Sequence, residues 1–501
     1  MFDYSNFAVE NLVIMTIKDI FSKEKPDEVI AELKARRHAP QPDTASAKKA
    51  LEQKLHNIND IILRPDKRVR VDNDNDANSA QKVIEVGSEE TKNYKFEKVA
   101  RISLAIQKLI VKRAVAFLFG NPVAYNVSPE GSNQEAIVKA LKRILHDVKS
   151  NSLNRRIARA VFGFKECAEL WYPVEKPNNS YGFNSKFKLR CALFSPAFGD
   201  TLFPYFDEMG DLTAFSREFS RTEFKDAKEV KVNYFETYTD TELWLWRQGA
   251  SGFEVVEGYP RQIAIGKIPV MYAYQEEFET QDVDSLIDRL ETLLSNFADT
   301  NDYHAAPKIF VKGELKGFSK KGESGAIIEG EEGSEAKYLE WANAPEAVKL
   351  EIETLLRMIY TITQTPDISF DSVKGIGAVS GIALQLLFMD AHLKVQDKRE
   401  IFDEYLQRRV NVIKAFIGKF NTTLESECAD LEIEPEITPY MLTSEIEELN
   451  YWLTANGHKP LISQEEAIEK AGLTAVPKDT YGKIVEETSR EKSFVVGEPI
   501  V

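Results

Sequence analysis

Apolar positions along the chain follow two rhythms, one of 3.6 residues and one of two. The helical rhythm is clearest over 282–420. In Asp282–Tyr303, Val283, Leu286, Ile287, Leu290, Leu293, Leu294 and Phe297 recur at i, i+3, i+4 and i+7, which places them on one stripe of a helix. Ala347–Thr363 repeats the pattern through Val348, Ile352, Leu355, Leu356, Ile359 and Ile362 and predicts a second helix. Between them, Lys308–Val311, Gly325–Glu329 and Lys337–Trp341 are short, apolar in part and separated by Gly and charge, which predicts small strands in a β-rich insert. From Thr365 to Gly381 the glycines Gly375, Gly377 and Gly381 and Pro366 oppose a continued helix and predict a mobile loop. Ile382–Phe420 contains no Pro and carries an apolar face from Leu384 to Phe420, so it predicts a helix of roughly 55 Å if unbroken. The charged run Gln396–Glu400 interrupts that face and predicts a kink or an exit from a core.

N-terminal to this region the pattern predicts helices over Asn6–Phe21, Pro26–Arg37 and Ala47–Leu63, a polar surface loop over 64–92, then helices over Asn93–Phe119 and Gln134–Lys149. Gly120 and Pro122 stop the helix that ends at Phe119, and a strand begins. From Val161 to Tyr274 the period is mostly two, with strands expected at Cys167–Tyr172, Phe187–Phe194, Thr213–Glu218, Val230–Tyr238, Glu242–Trp246 and Phe253–Val256. The aromatic residues there, including Trp171, Phe215, Tyr234 and Trp246, read as core and cross-strand packing rather than a sugar or base platform. In the acidic tail a helix is expected at Ser444–Asn456, and Ser463-Gln-Glu-Glu466 fits a capping box opening another.

With 501 residues, 43% hydrophobic and 29% charged, the composition is that of an ordinary soluble protein with two to four folding regions. No apolar run reaches membrane-spanning length, and the N-terminus lacks the basic start and apolar core of a secretory signal, so synthesis in a reducing cytoplasm is expected. Cys167, Cys191 and Cys428 are odd in number and far apart, which fits buried free thiols better than a zinc site or disulfides. The formal charge of -16 argues against tight binding of nucleic acid, which takes clustered Lys and Arg, but is compatible with letting DNA slide past. The basic residues between Lys139 and Arg159 read as solvated faces of amphipathic helices.

Catalytic signatures are missing. There is no P-loop, so no motor activity is expected. Gly375-Ile-Gly-Ala-Val-Ser-Gly381 spaces its third Gly one place too far for a dinucleotide fingerprint and follows a helix rather than a strand. Ser380 lies in G-x-x-S-G, not a nucleophile elbow. The six histidines form no metal-ligand spacing, and Asp72–Asn78 has Ala77 and Val83 where a calcium loop needs Gly and Glu. No cofactor, metal or enzymatic activity is expected.

The order of elements resembles the portal proteins, or head-to-tail connectors, of tailed bacterial viruses, in particular those of long-tailed phages, over nearly the whole length. The resemblance rests on Leu118-Phe-Gly-Asn-Pro-Val-Ala-Tyr125 after a helix and on Gly266-Lys-Ile-Pro-Val-Met271 before Leu286-Ile-Asp-Arg-Leu290. Ser380-Gly-Ile-Ala-Leu384 with Leu393-Lys-Val, and Glu445–Gly457 followed by Ile462-Ser-Gln-Glu-Glu-Ala, extend it. It implies an α+β portal fold with a helical stem and crown, a mixed α/β wing and a small β-rich clip. Residues 1–281 would form the wing, 282–304 and 344–365 the stem, and 305–343 the clip. Residues 366–380 would form the tunnel loop, 381–421 the long wing and crown helix, and 422–501 the crown and C-terminal tail. The resemblance further implies a ring of self-associated subunits, a dodecamer, at one capsid vertex, through which double-stranded DNA is packaged and later leaves. Partners would be the terminase large subunit, then a head-completion or adaptor protein, with the major capsid and scaffolding proteins around the ring and no membrane. Ser372, Val373, Lys374, Gly375, Ile376 and Gly377 would stand nearest the DNA, with Lys374 either touching phosphate transiently or remaining a solvated lysine. The alternatives from other classes are a capsid or neck assembly protein without a DNA channel, and a metal-dependent nuclease built from dispersed Asp and Glu.

Overall fold

In a computed structural model, residues 17–21, 23, 25–70, 81–84, 91–225, 228–305, 309–312, 335–338, 344–367, 388–440, 453–454, 462–471 and 480–488 are described. The chain divides into two compact units, 1–367 with 390–440, and 368–389 with 441–501.

In the first unit, α1 (Ile17–Ile20) and α2 (Pro26–Ala35) precede α3 (Thr44–Leu51). Pro26 sits in the first turn of α2, where its missing N–H costs nothing, and Val29, Ile30 and Leu33 form the buried stripe. Asp43 caps α3 by accepting from the amides of Ala45 and Ser46. The helix predicted over Ala47–Leu63 therefore starts earlier and stops at Leu51, replaced by two 3₁₀ turns at Gln53–Leu55 and Asn57–Asn59. The reason is tertiary: the side chains of His56 and Asn57 are drawn into bonds with Glu291 and Asp288.

The predicted polar loop over 64–92 contains β1 (Lys67–Arg70) and β2 (Gln81–Ile84), and both pair with β3 (Thr91–Glu97) in a three-stranded antiparallel sheet. The helix predicted from Asn93 consequently begins only with α4 (Ile106–Phe119). The alternation of Lys, Tyr and Phe in 92–96 served strand pairing, and residues 98–105 follow without regular structure.

Strand β4 (Ala124–Asn126) begins after Gly120 as expected, and α5 (Ser132–Asp147) and α6 (Ser150–Phe164) follow. The second helix displaces the start of the two-residue rhythm from Val161 to Glu166, because Leu153, Ile157, Ala158, Val161 and Phe162 bury one helical face. The strand region comprises β5 (Glu166–Asn178), β6 (Ser185–Phe194), β7 (Thr201–Phe206), β8 (Leu212–Lys225), β9 (Lys228–Tyr238), β10 (Glu242–Gln248), β11 (Phe253–Val255), β12 (Arg261–Gln262) and β13 (Val270–Tyr274). One sheet has the order β11-β10-β9-β8-β7, with β12 also on β10; another has the order β13-β5-β6; every described pairing is antiparallel. Phe215, Tyr238, Leu202, Ala168 and Val270 pack between the two sheets, and Ile20, Val29 and Leu33 cover Phe203, Phe235 and Trp246 on the larger one. The aromatic residues are thus core, as their alternation implied.

Helix α7 (Asp284–Ala305), the hairpin β14 (Ile309–Lys312) with β15 (Glu335–Tyr338), and α8 (Ala344–Ile362) form the helix, insert and helix expected from the pattern. Gly325–Glu329 lies outside the described residues. The long helix is α9 (Met389–Phe420), unbroken through Gln396–Glu400. Gln396, Asp397 and Glu400 are exposed there, as an exit from a core implies, while Lys394 and Lys398, one turn apart, both reach Glu279. A short helix α10 (Glu425–Asp430) leads to β16 (Glu434–Glu436), which pairs with β4 and closes the unit.

In the second unit, the helix Gln464–Ala471 begins at the predicted capping box. Ser463 Oγ accepts from the Glu466 amide at 3.2 Å, and the Ser463 amide donates to Glu466 Oε2 at 3.1 Å. Of the helix expected at Ser444–Asn456, only residues 453–454 are described, and they are helical. This combination of helical and antiparallel-sheet regions is the expected α+β class.

Candidate functional site

Helix α7 is held on two sides by different chemistry. Its apolar stripe, Ile287, Leu290 and Leu293, with Val283 just ahead of it, is buried against Leu355 and Ile359 of α8 and Ile106 and Ile110 of α4. Arg289 on the first helix donates through Nε and Nη2 to Glu351 Oε1 on the second, at 2.9 and 2.7 Å.

A polar row occupies another side. Glu291, Ser295 and Asp299, four residues apart, accept from the backbone N–H groups of Leu104, Ile102 and Ala100 at 2.7, 2.9 and 2.8 Å. Each step of four residues on the helix, about 6 Å, is thus matched by a step of two residues on the facing segment. The segment 100–104 is therefore strapped along the helix by side chains standing in for a neighbouring strand. Arg64 extends the strap, donating to Asn296 Oδ1, Asp299 Oδ2 and the Ala100 carbonyl. His56 Nδ1 lies 2.7 Å from Glu291 Oε1, and both side chains are buried. The bond to Glu291 raises the His56 pKa against the opposing effect of burial.

The roots of the two helices meet on α9. Lys394 Nζ donates to the Thr363 carbonyl at the end of α8 at 2.7 Å and lies 2.5 Å from Glu279 Oε1, just ahead of α7. Lys398 approaches the other oxygen of Glu279 at 3.3 Å. Burial works to raise the Glu279 carboxyl, but the two lysines outweigh it and hold it below its usual range; burial lowers the Lys394 ammonium. Arg113 of α4 donates to the Pro366 carbonyl at 2.8 Å, which fixes the chain where the glycine segment begins.

Helix α9 is itself anchored. Arg409, fully buried, makes a two-point bond to Glu169 of β5, Nε to Oε1 at 2.6 Å and Nη2 to Oε2 at 2.7 Å, and donates through Nη1 to Asn154 of α6 at 2.6 Å. Trp171 and Tyr405 donate to the same carboxylate. A further buried acid, Glu166, accepts from Arg37 at 2.8 Å and from Tyr272 at 2.7 Å, and burial raises its pKa.

The arrangement is mechanical: a helix pair carrying a β-hairpin, with both roots tied by one lysine to a long helix bolted into the sheets. Ser372, Val373, Lys374, Gly375, Ile376 and Gly377 lie outside the described residues, and the described chain reaches Asp367 on one side of them. The sequence pattern did not reveal Glu279, Lys394, Arg409 or Glu169 as ties. The available signal was a charge inside an apolar stripe, since Arg409 follows Phe402 and Leu406 and precedes Val410 and Ile413. Among the described residues no group of three or more His, Cys, Asp or Glu is placed to hold a metal ion, and no helix is long and apolar enough to cross a membrane. Cys167 and Cys428 are buried and Cys191 partly so, all free.

No curated protein matches the chain. Solved structures similar to it include two from gene transfer agent particles. One is described as "Neck of empty GTA particle computed with C6 symmetry", with 11% identity and a TM-score of 0.37, covering 74% of this chain and 89% of that one. The other is described as "Virion of native gene transfer agent (GTA) particle", with 11% identity and a TM-score of 0.36 over the same shares. The family described as "Phage portal protein, SPP1 Gp6-like" matches residues 52–493, and the chain, with its paired helices, inserted hairpin and long helix inside that span, belongs to this family.

Proposed function

We propose that the chain is the subunit of a closed portal ring at one capsid vertex of a virion, with the genome passing along the ring axis during packaging and ejection. The observation that carries the ring is on α8. Besides the stripe buried on α7, it bears Leu350 and Met358 exposed, eight residues apart and outside that stripe. A helix that is apolar on two sides needs two partners, and repetition of one chain about an axis supplies the second.

In this reading 1–281 is the wing, 282–304 and 344–365 the stem, and 305–343 the clip. The clip meets the terminase large subunit and later a head-completion or adaptor protein, and the wing faces the major capsid and scaffolding proteins. Residues 366–380 form the tunnel loop, 381–421 the long helix and 422–501 the crown and tail. The role is structural rather than enzymatic. About a dozen subunits close the ring. The net charge of -16 suits a conduit that must not hold DNA.

Electron microscopy of the purified protein tests the proposal. Closed rings with a central hole are expected; compact particles without a hole would replace the portal reading with that of an assembly protein lacking a channel.

A further inference from the structure

In a chain of net charge -16, one cleft is charged the other way. It measures about 890 Å³ and is the open end of the core between the two sheets of the strand region, since Leu170, Phe194 and Tyr238 belong to both. The chain from Tyr259 to Ile265 and the end of α9, at Phe416 and Phe420, complete its walls. Tyr172 and Phe187 on those walls remain exposed in the single subunit. An apolar cleft of this size, open to water at the mouth of a core, is a surface built for an occupant.

The charged groups of the lining are Arg217, Arg221, Arg261 and Lys419 against one carboxylate, Glu236. Two of the four cations are already paired. Arg217 lies 2.7 Å from Glu236 and 3.6 Å from Asp200, and Lys419 reaches Glu425. Arg221 and Arg261 have no carboxylate within ion-pair distance among the described residues. The acids beside them in the sheet are engaged elsewhere: Glu223 is bound by Arg247 and Tyr234, and Glu242 accepts from Trp244 and Gln262. Exposed Glu257 does not line the cleft.

Both unpaired guanidinium groups sit over aromatic rings. Arg221 is 4.9 Å from the ring centre of Phe219 and 5.4 Å from that of Tyr234, and Arg261 is 4.4 Å from that of Tyr259. Phe219 and Tyr234 belong to one buried cluster on which Tyr259 packs, so the two arginines are presented from a common base. A guanidinium held over a ring keeps its edge N–H donors for a carboxylate and loses little freedom in binding one. The backbone beside the cleft is open as well. The last bond from β5 toward β13 is the Trp171 amide to the Pro269 carbonyl, and Tyr172 and Pro173 continue along the cleft with no strand on that side among the described residues. An open strand edge beside apolar walls suits an extended chain. Nucleic acid suits it less, because two unpaired cations among walls such as Leu243 and Ile263 offer little to a phosphate backbone.

We propose that this cleft binds an extended acidic segment of a partner protein, with its aliphatic or aromatic side chains entering between the sheets and its carboxylates on Arg221 and Arg261. One subunit holds the whole cleft, so the proposal does not rest on the portal reading.

The test is fluorescence anisotropy of the full chain with a labelled peptide that alternates glutamate with leucine and phenylalanine. Saturable binding is expected, and its absence overturns the proposal. Arg221→Gln with Arg261→Gln, both exposed, is expected to weaken binding at least tenfold with an unchanged circular dichroism spectrum. Ala264→Trp, at an exposed position on the wall, is expected to weaken it by obstruction at constant charge. Undiminished affinity in both variants overturns the site. A peptide with serine in place of leucine and phenylalanine should bind at least tenfold more weakly; equal binding would reduce the effect to surface charge and overturn the apolar anchor. Displacement of the peptide by an equal concentration of oligothymidylate would replace the peptide with nucleic acid. Binding to single subunits but not to closed rings would assign the cleft to a neighbouring copy and overturn the partner named.

Discussion

Arg409 and Glu169 meet as a two-point ion pair with neither side chain exposed, and this pair joins the long helix α9 to strand β5. Burial opposes the Arg409 charge, and Glu169 outweighs it, raising the pKa of the guanidinium. Removing one partner strands the other: Arg409→Met is expected to cost about 3–5 kcal/mol. Arg409→Met with Glu169→Leu should recover a substantial part of that loss. Urea unfolding of the three proteins checks it, and equal losses in the single and double variants would show that the packing, not the stranded charge, dominates.

Lys394 ties α8 to α9 through the Thr363 carbonyl and Glu279. Lys394→Met is expected to leave the fold intact and to speed hydrogen exchange of amides 359–365 by more than tenfold. Because the folded-state pKa of Glu279 is depressed, its contribution is present above the unfolded carboxylate pKa and lost as pH falls through the folded value. The parent should therefore lose more stability than Glu279→Gln on acidification from pH 6 to pH 3.

The His56 pKa is raised by Glu291, so the sign is opposite. The stability from this pair is fully present below the unfolded histidine pKa of about 6.5 and declines as pH rises through the folded value. His56→Gln should cost about 1–2 kcal/mol at pH 6 and less at pH 9. Thermal unfolding at the two pH values measures the difference, and a pH-independent cost would mean that the charge plays no part.

Gly120 is required by close approach rather than by a left-handed backbone. A Cβ there would stand 2.7 Å from Cβ of Tyr440, whose amide donates to the Phe117 carbonyl at 2.9 Å and so cannot recede freely. Gly120→Ala is expected to destabilise by about 1–3 kcal/mol, readable in a denaturant titration.

Lys374 is expected to contact phosphate in passing. In a reconstituted packaging motor, Lys374→Ala should slow translocation and weaken its dependence on salt. Unaltered velocity and salt response would assign it to solvent.

Strand periodicity in 166–256 and the helical stripes of α7 and α8 were legible because each side chain's burial there follows from local spacing. The capping box at Ser463 was equally local. The segment 93–105 was not: its apolar residues fit a helix, but strand pairing with β1 and β2 took 93–97, and side chains of α7 almost 200 residues away took the amides of 100, 102 and 104. The same holds for the charged run 396–400: its composition predicts a kink or an exit from a core, but the ties of Lys394 and Lys398 to Glu279, more than 100 residues away, cannot be read from local spacing. By itself the sequence determined the helix, insert and helix order and the sheet region, since these depend on which residues avoid water. Only the tertiary structure decided which charges are buried and what ties the helix roots together, because a buried ion pair is stable only when distant parts of the chain bring both partners to the same place.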